Sequence, residues 1–499
     1  MKLITKSLLY MLPASMMLTL GSCSEYIDID TEKTLDIAAI DYTATENMYE
    51  PVVGCYQRLR DQGMHWANAM IWMGRDDDMS SGRADDQGDA LKFGYPGSYA
   101  NPSAFWAVGN LWVTMYNIII DCNSNLEALD NYGNNLTEGS ADYRKYMGYR
   151  GEIRTIRAWA YYHLTDFFGP CVIYANNDQV SFRRSTVDKV YDYIIYELQE
   201  AIPHMEACRP NQASHQGAFT KYTAEALAAR VALMQGNYAL VEQFTDDIIQ
   251  NGGFSLYPDY YQLFKIPGKL CDESLMEVQV TDFGNDSGDY VGVDQWFNFR
   301  GAGLSEPDGS WLMGGWTFMR YSPAFLKWTD DRGEKVRRQT SFLVAGETTP
   351  EGAVVNGTLD PTALIGEIYD GKGYLPLNQM TGNSRDWGRN NNVRIIRYAE
   401  VLLMNAEAKV RQGKNGDQPF NLVRQRAEMP ALSGVTANQI LDERRMELCG
   451  EWGLRYADLR RTGLAESVLG KYGWSEAARY VDIPSNQVLL TPELAEEPM

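Results

Sequence analysis

Histidine is scarce in this chain. His65, His163, His204 and His215 are the only four, and none has the spacing of a metal-ligand pair. No HExxH and no G-x-S-x-G occurs, so the commonest zinc-hydrolase and serine-hydrolase arrangements are missing. Cysteine is sparse too. Apart from Cys23, the thiols Cys55, Cys122, Cys171, Cys208, Cys271 and Cys449 lie far apart without a CxxC pair. Neither a zinc site nor a disulfide framework is indicated, and no cofactor is expected. Several of these cysteines sit in apolar helical patterns, where a thiol serves as a small buried hydrophobe. Basic residues are outnumbered, 45 against 66 acidic ones, for a net charge of −21. That field repels nucleic acid and anionic headgroups, and a neutral ligand is the easiest to reconcile with it. Past the first two dozen residues, no apolar run is long enough to span a bilayer.

What is present begins at the N-terminus. Lys2 and Lys6 precede a mostly apolar run from Leu8 to Leu20, and Leu20-Gly21-Ser22-Cys23 follows. The run is shorter than the roughly 20 residues of a spanning helix. It reads as a signal peptide over 1–22, closed by a bacterial lipobox. An ordinary secretory signal with an incidental cysteine is the alternative. Lipid on Cys23 would hold the mature chain to a membrane at about 0.8 kcal/mol per buried methylene. Residues 23–42 are polar and acidic and read as a tether.

Helical periodicity dominates 43–251. Helices are expected over Thr43–Arg60, Phe105–Leu129, Tyr143–Phe168 (stopped by Gly169-Pro170) and Thr186–Met205, the last capped by Ser185 with Asp188. Lys221 to Gln250 reads as a helical hairpin turning at Gly236-Asn237, similar to a tetratricopeptide unit. A second such hairpin is expected from Arg397–Arg411 and Asn421–Glu428. In it Ala399, Leu403, Ala406 and Val410 form one stripe, with Glu400, Glu407 and Arg411 on the opposite side. Between the hairpins, 252–395 is rich in Gly, Asn, Asp, Pro and Trp and loses the helical period. Loops of this kind, held by a helical scaffold, are where binding groups are expected. A second loop-rich stretch is expected over 62–104.

Several blocks then follow one another in a familiar order. They are Leu111-Trp112 with Tyr116 and Asn123; Arg157-Ala158-Trp159-Ala160-Tyr161-Tyr162 closing with Phe168-Gly169; Arg397-Tyr398-Ala399-Glu400 through Ala408; and Asn421 to Ala427. Glu443-Arg444-Arg445-Met446-Glu447-Leu448, Asp458-Leu459-Arg460-Arg461 and Asp482-Ile483-Pro484 complete the set. With the lipobox, this resembles the SusD/RagB family of nutrient-binding outer-membrane lipoproteins. The resemblance implies a mostly α fold: an α/α superhelix of tetratricopeptide-like helix pairs with a loop-rich, minor-β ligand face. The 396–499 stretch would be its C-terminal helical region. It also implies a lipid anchor at the outer membrane of a Bacteroidetes-type cell, facing outward. The expected partner is a SusC-like TonB-dependent transporter that receives oligosaccharide from the lipoprotein, or peptide in some members.

For the ligand site, exposed indoles on loops suit the apolar C–H faces of a sugar ring, and its hydroxyls need polar partners. Trp72, Trp296, Trp311 and Trp316, with Tyr290 and Trp387, are therefore candidate stacking residues. Arg75, Asp77 and Asp78 are candidates for hydroxyls, and Asp77-Asp78 before Ser80-Ser81-Gly82 resembles a family loop near the ligand face. Each Trp has a plainer reading, as a plug seating its loop on the scaffold. Asp282, Asp286 and Asp289 are a possible calcium set without an EF-hand pattern. Glu443, Glu447 and Glu451, four apart, invite a glycosidase reading. Arg444, Arg445 and Arg455 nearby favour structural ion pairing instead. The G-x4-G-K match at Gly366–Lys372 carries Glu367 and Asp370, which repel phosphate, and has Gly373 where a Ser or Thr is needed. The expected function is non-catalytic glycan capture at the cell surface. Peptide capture on the same scaffold, a surface glycosidase and a pure protein-docking module are the alternatives.

Overall fold

The first helices stop and start where the sequence supplies caps. In a computed structural model, which describes residues 40–81, 99–100, 105–178, 181–281, 300–380 and 390–499, α1 (Glu50–Arg58), α2 (Trp66–Met73), α3 (Trp106–Gly133) and α4 (Ala141–Phe168) follow in order. The hydroxyl of Ser140 accepts from the Tyr143 N–H at 3.0 Å and opens α4. Gly169, at φ 73°, closes it. Next come α5 (Val187–Ala201), α6 (Lys221–Met234) and α7 (Tyr238–Asn251), the last capped by Asn237 onto the Leu240 N–H at 3.2 Å. The expected cap on α5 is corrected: Thr186 holds the cap position, while the Ser185 N–H donates to the Cys171 carbonyl at 2.8 Å.

Residues 252–395 carry short elements. They are α8 (Tyr260–Leu263), β2 (Ser274–Val278), β3 (Gly303–Ser305), β4 (Trp311–Gly314), β5 (Met319–Tyr321), α9 (Pro323–Asp331), α10 (Val336–Ser341), β6 (Phe342–Val344), β7 (Val354–Val355) and β8 (Ile368–Asp370). β1 (Met79–Ser81) pairs with β5, β2 with β9 (Val393–Arg397), β6 with β8, and β4-β3-β7 make a three-stranded sheet; every pairing is antiparallel. The chain ends in α11 (Tyr398–Arg411), α12 (Asp417–Arg426), α13 (Ala437–Glu447), α14 (Leu454–Arg461) and short turns. The fold is mostly helical.

Helix α6 is the centre of the bundle. Tyr222 to Leu233 are all buried, because α5, α7 and α11 surround it. Its alanines allow that close approach. The buried Arg230 among them clasps Glu400 of α11 through two bonds, 2.9 and 2.6 Å long. The side of α11 opposite its apolar stripe is thus also interior. Glu407 is buried there and accepts from Arg461 at 2.8 and 2.6 Å.

Candidate functional site

Three tryptophans that begin or follow regular elements meet at one place. Trp66 opens α2, whose remaining residues Ala67–Met73 are all buried. His65 caps that helix, its Nδ1 accepting from the Ala67 N–H at 3.2 Å. Only the first turn of α2 therefore reaches out, and it presents Trp66. Trp106 opens α3 behind an extended Phe105 and is 48% exposed. Trp316 and Phe318 follow β4. The ring centroid of Trp66 lies 5.6 Å from Trp106, 5.5 Å from Trp316 and 5.8 Å from Phe318. The Trp66–Trp106 and Trp66–Trp316 pairs are edge-on, at 63° and 87°, the geometry aromatic quadrupoles favour.

The Trp316–Phe318 corner is built under strain. Thr317 between them sits at φ 60°, a left-handed conformation that a β-branched residue rarely takes. Hydrogen bonds hold it there: the Thr317 N–H donates to Gly301 O at 3.0 Å and the Gly315 N–H to Ala302 O at 2.8 Å. Gly315 permits this contact, since a Cβ there would lie 2.2 Å from the Gly301 backbone. The strain aims two aromatic rings at Trp66. Half-buried indoles in mutually perpendicular settings offer flat apolar surface with open edges. That chemistry suits a ligand with alternating apolar faces and polar rims.

The residues expected from sequence to touch ligand divide sharply. Trp311 is 61% exposed on β4, and Trp316 belongs to the ring cluster. Trp72 is corrected: it is buried on α2, wedged against His163, Trp452 and Trp159 with centroids 4.3, 5.5 and 6.3 Å away. No face remains for a sugar. Arg75 is likewise interior, donating to the Ala478 carbonyl at 2.7 Å and lying over the Tyr456 and Tyr99 rings. Asp78 is buried with both oxygens on Arg445, and Asp77 accepts from Arg445 and Arg455, each at 3.1 Å. Burial raises the Asp77 carboxyl, but the two guanidiniums outweigh it and hold the group below its usual range. These charges are committed to the fold and are not free for hydroxyls. Tyr290, Trp296, Trp387, the Asp282/Asp286/Asp289 set and Cys23 lie outside the described residues.

Trp66, Trp106 and Phe318 were not singled out from sequence. The available signal was positional. An aromatic at the first residue of a helix that follows a loop hangs beyond the core-facing stripe, and its-ring then faces outward.

The acidic triplet is structural. Helix α13 ends at Glu447, and Glu451 lies in the turn beyond it. Their partners are distant in sequence and are not the neighbouring arginines. Glu443 meets Arg337 and Arg424 at 2.7 and 2.8 Å, Glu447 meets Arg397 at 3.1 Å and also Arg426, and Glu451 meets Arg397 and Lys372 at 2.8 and 2.6 Å. Burial opposes ionisation of Glu451, but Arg397 and Lys372 prevail and hold its carboxyl at about 2. A general acid needs the opposite shift. Lys372, the lysine of the G-x4-G-K match, is thereby buried and paired.

Two family models match this chain. One, described as the SusD family, covers residues 365–487. The other, described as starch-binding associating with outer membrane, covers 37–233. The chain belongs to the SusD/RagB family. Members of this family are binding proteins, not catalysts. A SusD-like protein of Bacteroides ovatus is 22% identical over 403 residues, covering 76% of this chain and 69% of its own length. Among solved structures, a laminarin-binding SusD-like protein superposes with a TM-score of 0.74 at 22% identity, covering 91% of this chain and 99% of its own. Surface glycan-binding protein A from Bacteroides thetaiotaomicron, in complex with laminarihexaose, superposes with a TM-score of 0.71 at 23% identity, covering 90% and 98%. The SusD fold therefore accounts for the helical frame on which the ring cluster stands.

Proposed function

We propose that this chain is a cell-surface lipoprotein, anchored through Cys23, that captures oligosaccharide without cleaving it and passes it to a SusC-like TonB-dependent transporter. The observation that carries the reading is the Trp66–Trp106–Trp316–Phe318 cluster, with ring centroids 5.5 to 5.8 Å from Trp66. The cluster joins the N-terminal helical region (43–251) to the loop-rich 252–395 region, where a ligand face is expected. Trp311, 61% exposed on β4 five residues before Trp316, is a further candidate indole. Relatives whose names specify laminarin or laminarihexaose make a β-glucan a sensible first probe.

The test is direct. The purified chain is titrated calorimetrically against a panel of laminari-, malto-, cello- and xylo-hexasaccharides and against peptide mixtures. Binding of a sugar, with the sugar recovered at its original length, supports the reading. Binding of peptides alone would assign the scaffold to peptide capture. Cleavage of the sugar would make it an enzyme, and binding to neither would leave only protein docking. For the transporter, co-purification of the two from outer membranes is expected.

A further inference from the structure

A second cleft lies on α1, and no ring of the tryptophan cluster lines it. It has a volume of about 480 Å³ and lies between α1, the loop at 215–218 and β2. Tyr49, Val53, Gln57, His215, Gln216 and Gln279 are among the residues that line it. We propose that this cleft is a second carbohydrate contact site, taking a neutral sugar unit of the same glycan chain that the tryptophan cluster holds. The proposal rests on the glycan reading above.

Its apolar part is fixed from behind. Tyr49 and His215 stack with centroids 3.5 Å apart and planes at 3°. The hydroxyls of Tyr49 and Tyr56 both donate to buried Glu152, at 3.1 and 2.7 Å. Val53 adds apolar surface, 50% exposed. The polar part is mostly amide, with Arg60 and Glu277 also on the lining. Gln57 and Gln216 are exposed, and among the described residues neither amide is spent on a hydrogen bond within the fold. Gln279 is held in place: its Oε1 accepts from Asn392 at 2.8 Å and its Nε2 donates to the Glu277 carbonyl at 3.3 Å. Gly217, at φ +90°, lets the loop lie against it, because a Cβ there would stand 2.8 Å from the Gln279 side chain.

Apolar surface beside primary amides is the pairing a pyranose needs: C–H groups against rings, hydroxyls against donors that are also acceptors. The volume falls within the ~300–1,000 Å³ range of small-ligand clefts. Glu152 behind the tyrosines is uncharged below about pH 8, since burial outweighs its two hydroxyl donors. The tyrosine wall thus has no bare anion behind it at neutral pH, and the carboxylate on the lining itself, Glu277, is buried and accepts from Ser274, Asn392 and the Leu270 N–H, which suits a neutral guest. Two sites on one polymer raise retention without tightening either contact.

The test uses the full chain, the hexasaccharide panel and polymeric laminarin. A W66A/W106A variant removes the cluster. If the cleft binds sugar, this variant keeps a weaker isotherm for the hexasaccharide the wild type binds, and adding V53R, which fills the cleft with a long charged side chain, abolishes it. V53R alone lowers retention on polymer about tenfold. V53A in the same background removes only a little apolar surface and weakens the residual isotherm without abolishing it, which separates filling the cleft from disturbing α1. Thermal melts check that every variant is folded. A W66A/W106A protein that is folded and binds no sugar overturns the second site while leaving the first intact. A wild type that binds no sugar at all overturns both.

Discussion

The guanidinium of Arg445 grips the carboxylate of Asp78 from 367 positions away in sequence, with Nε bonds of 3.0 and 2.9 Å to its two oxygens. This pair fastens α13 to the turn between α2 and β1. It also explains why an acidic loop that looks ligand-ready is not. Removing one partner of a buried pair strands the other charge, at a cost of about 3–5 kcal/mol. Arg445→Ala is therefore expected to lower stability by about that amount in urea titrations. Arg445→Lys recovers only part of it, because an ammonium cannot reproduce the forked contact. Retention of wild-type stability in Arg445→Ala would mean the contact is incidental.

Trp72 and Trp106 should behave as opposites. Trp72→Ala opens a hole among Trp159, His163 and Trp452 and is expected to cost about 3–5 kcal/mol of stability. Trp106→Ala removes a half-exposed ring and should leave the melting temperature within a few degrees. Its expected effect is on sugar affinity, roughly tenfold to a hundredfold weaker, as for a binding hot spot. Calorimetry and thermal melts on the same two proteins decide the matter. Lost affinity in folded Trp72→Ala with none lost in Trp106→Ala would reverse the assignment.

Glu451 makes acid stability specific. Its carboxyl is held at about 2 in the fold, against about 4.3 in an unfolded chain. A depressed carboxyl stabilises the fold above the unfolded value, and that contribution fades as pH drops from about 4 to about 2. Glu451→Gln should therefore be less stable than wild type by about 3 kcal/mol at pH 7. The two proteins should converge near pH 2. A gap that persists unchanged at low pH would rule out the charge as its source.

Glu152 has the reverse sign. Burial lifts its carboxyl to about 8, so between about pH 4.3 and 8 the folded chain holds a proton that the unfolded chain has lost. Stability from this site is highest at the acid end of that window and declines as pH rises through it. Glu152→Gln keeps acceptors for Tyr49 and Tyr56 and cannot ionise. It is expected to match wild type near pH 4 and to exceed it at pH 8 by about 5 kcal/mol. Melting curves at both pH values provide the check.

Much of the frame was readable because periodicity and caps speak locally. The pair α6 and α7 turns where Gly236 and Asn237 stand, and α4 stops at Gly169. Helix α2 was not readable: Trp66–Met73 is apolar almost throughout, so no 3.6-residue contrast marks it, and only tertiary burial makes it a helix. The ligand residues failed for a related reason. An indole looks alike in sequence whether it is wedged, as Trp72 is, or free on one side, as Trp106 is. The difference lies in which elements converge, and those are distant along the chain. The ionic partners of Glu443, Glu447 and Glu451 were equally hidden, since Arg337 and Arg397 approach from other segments.

Arg397 of β9 and Arg337 of α10 converge on Glu447 at the end of α13, and Glu273, just before β2, shares Arg397 with it. The segment bearing Trp316 is held separately, by the Gly315 and Thr317 N–H groups on the Ala302 and Gly301 carbonyls and by the pairing of β5 with β1. In the proposed role, a sugar stacking there would meet rings already in position and lose little ordering entropy on capture.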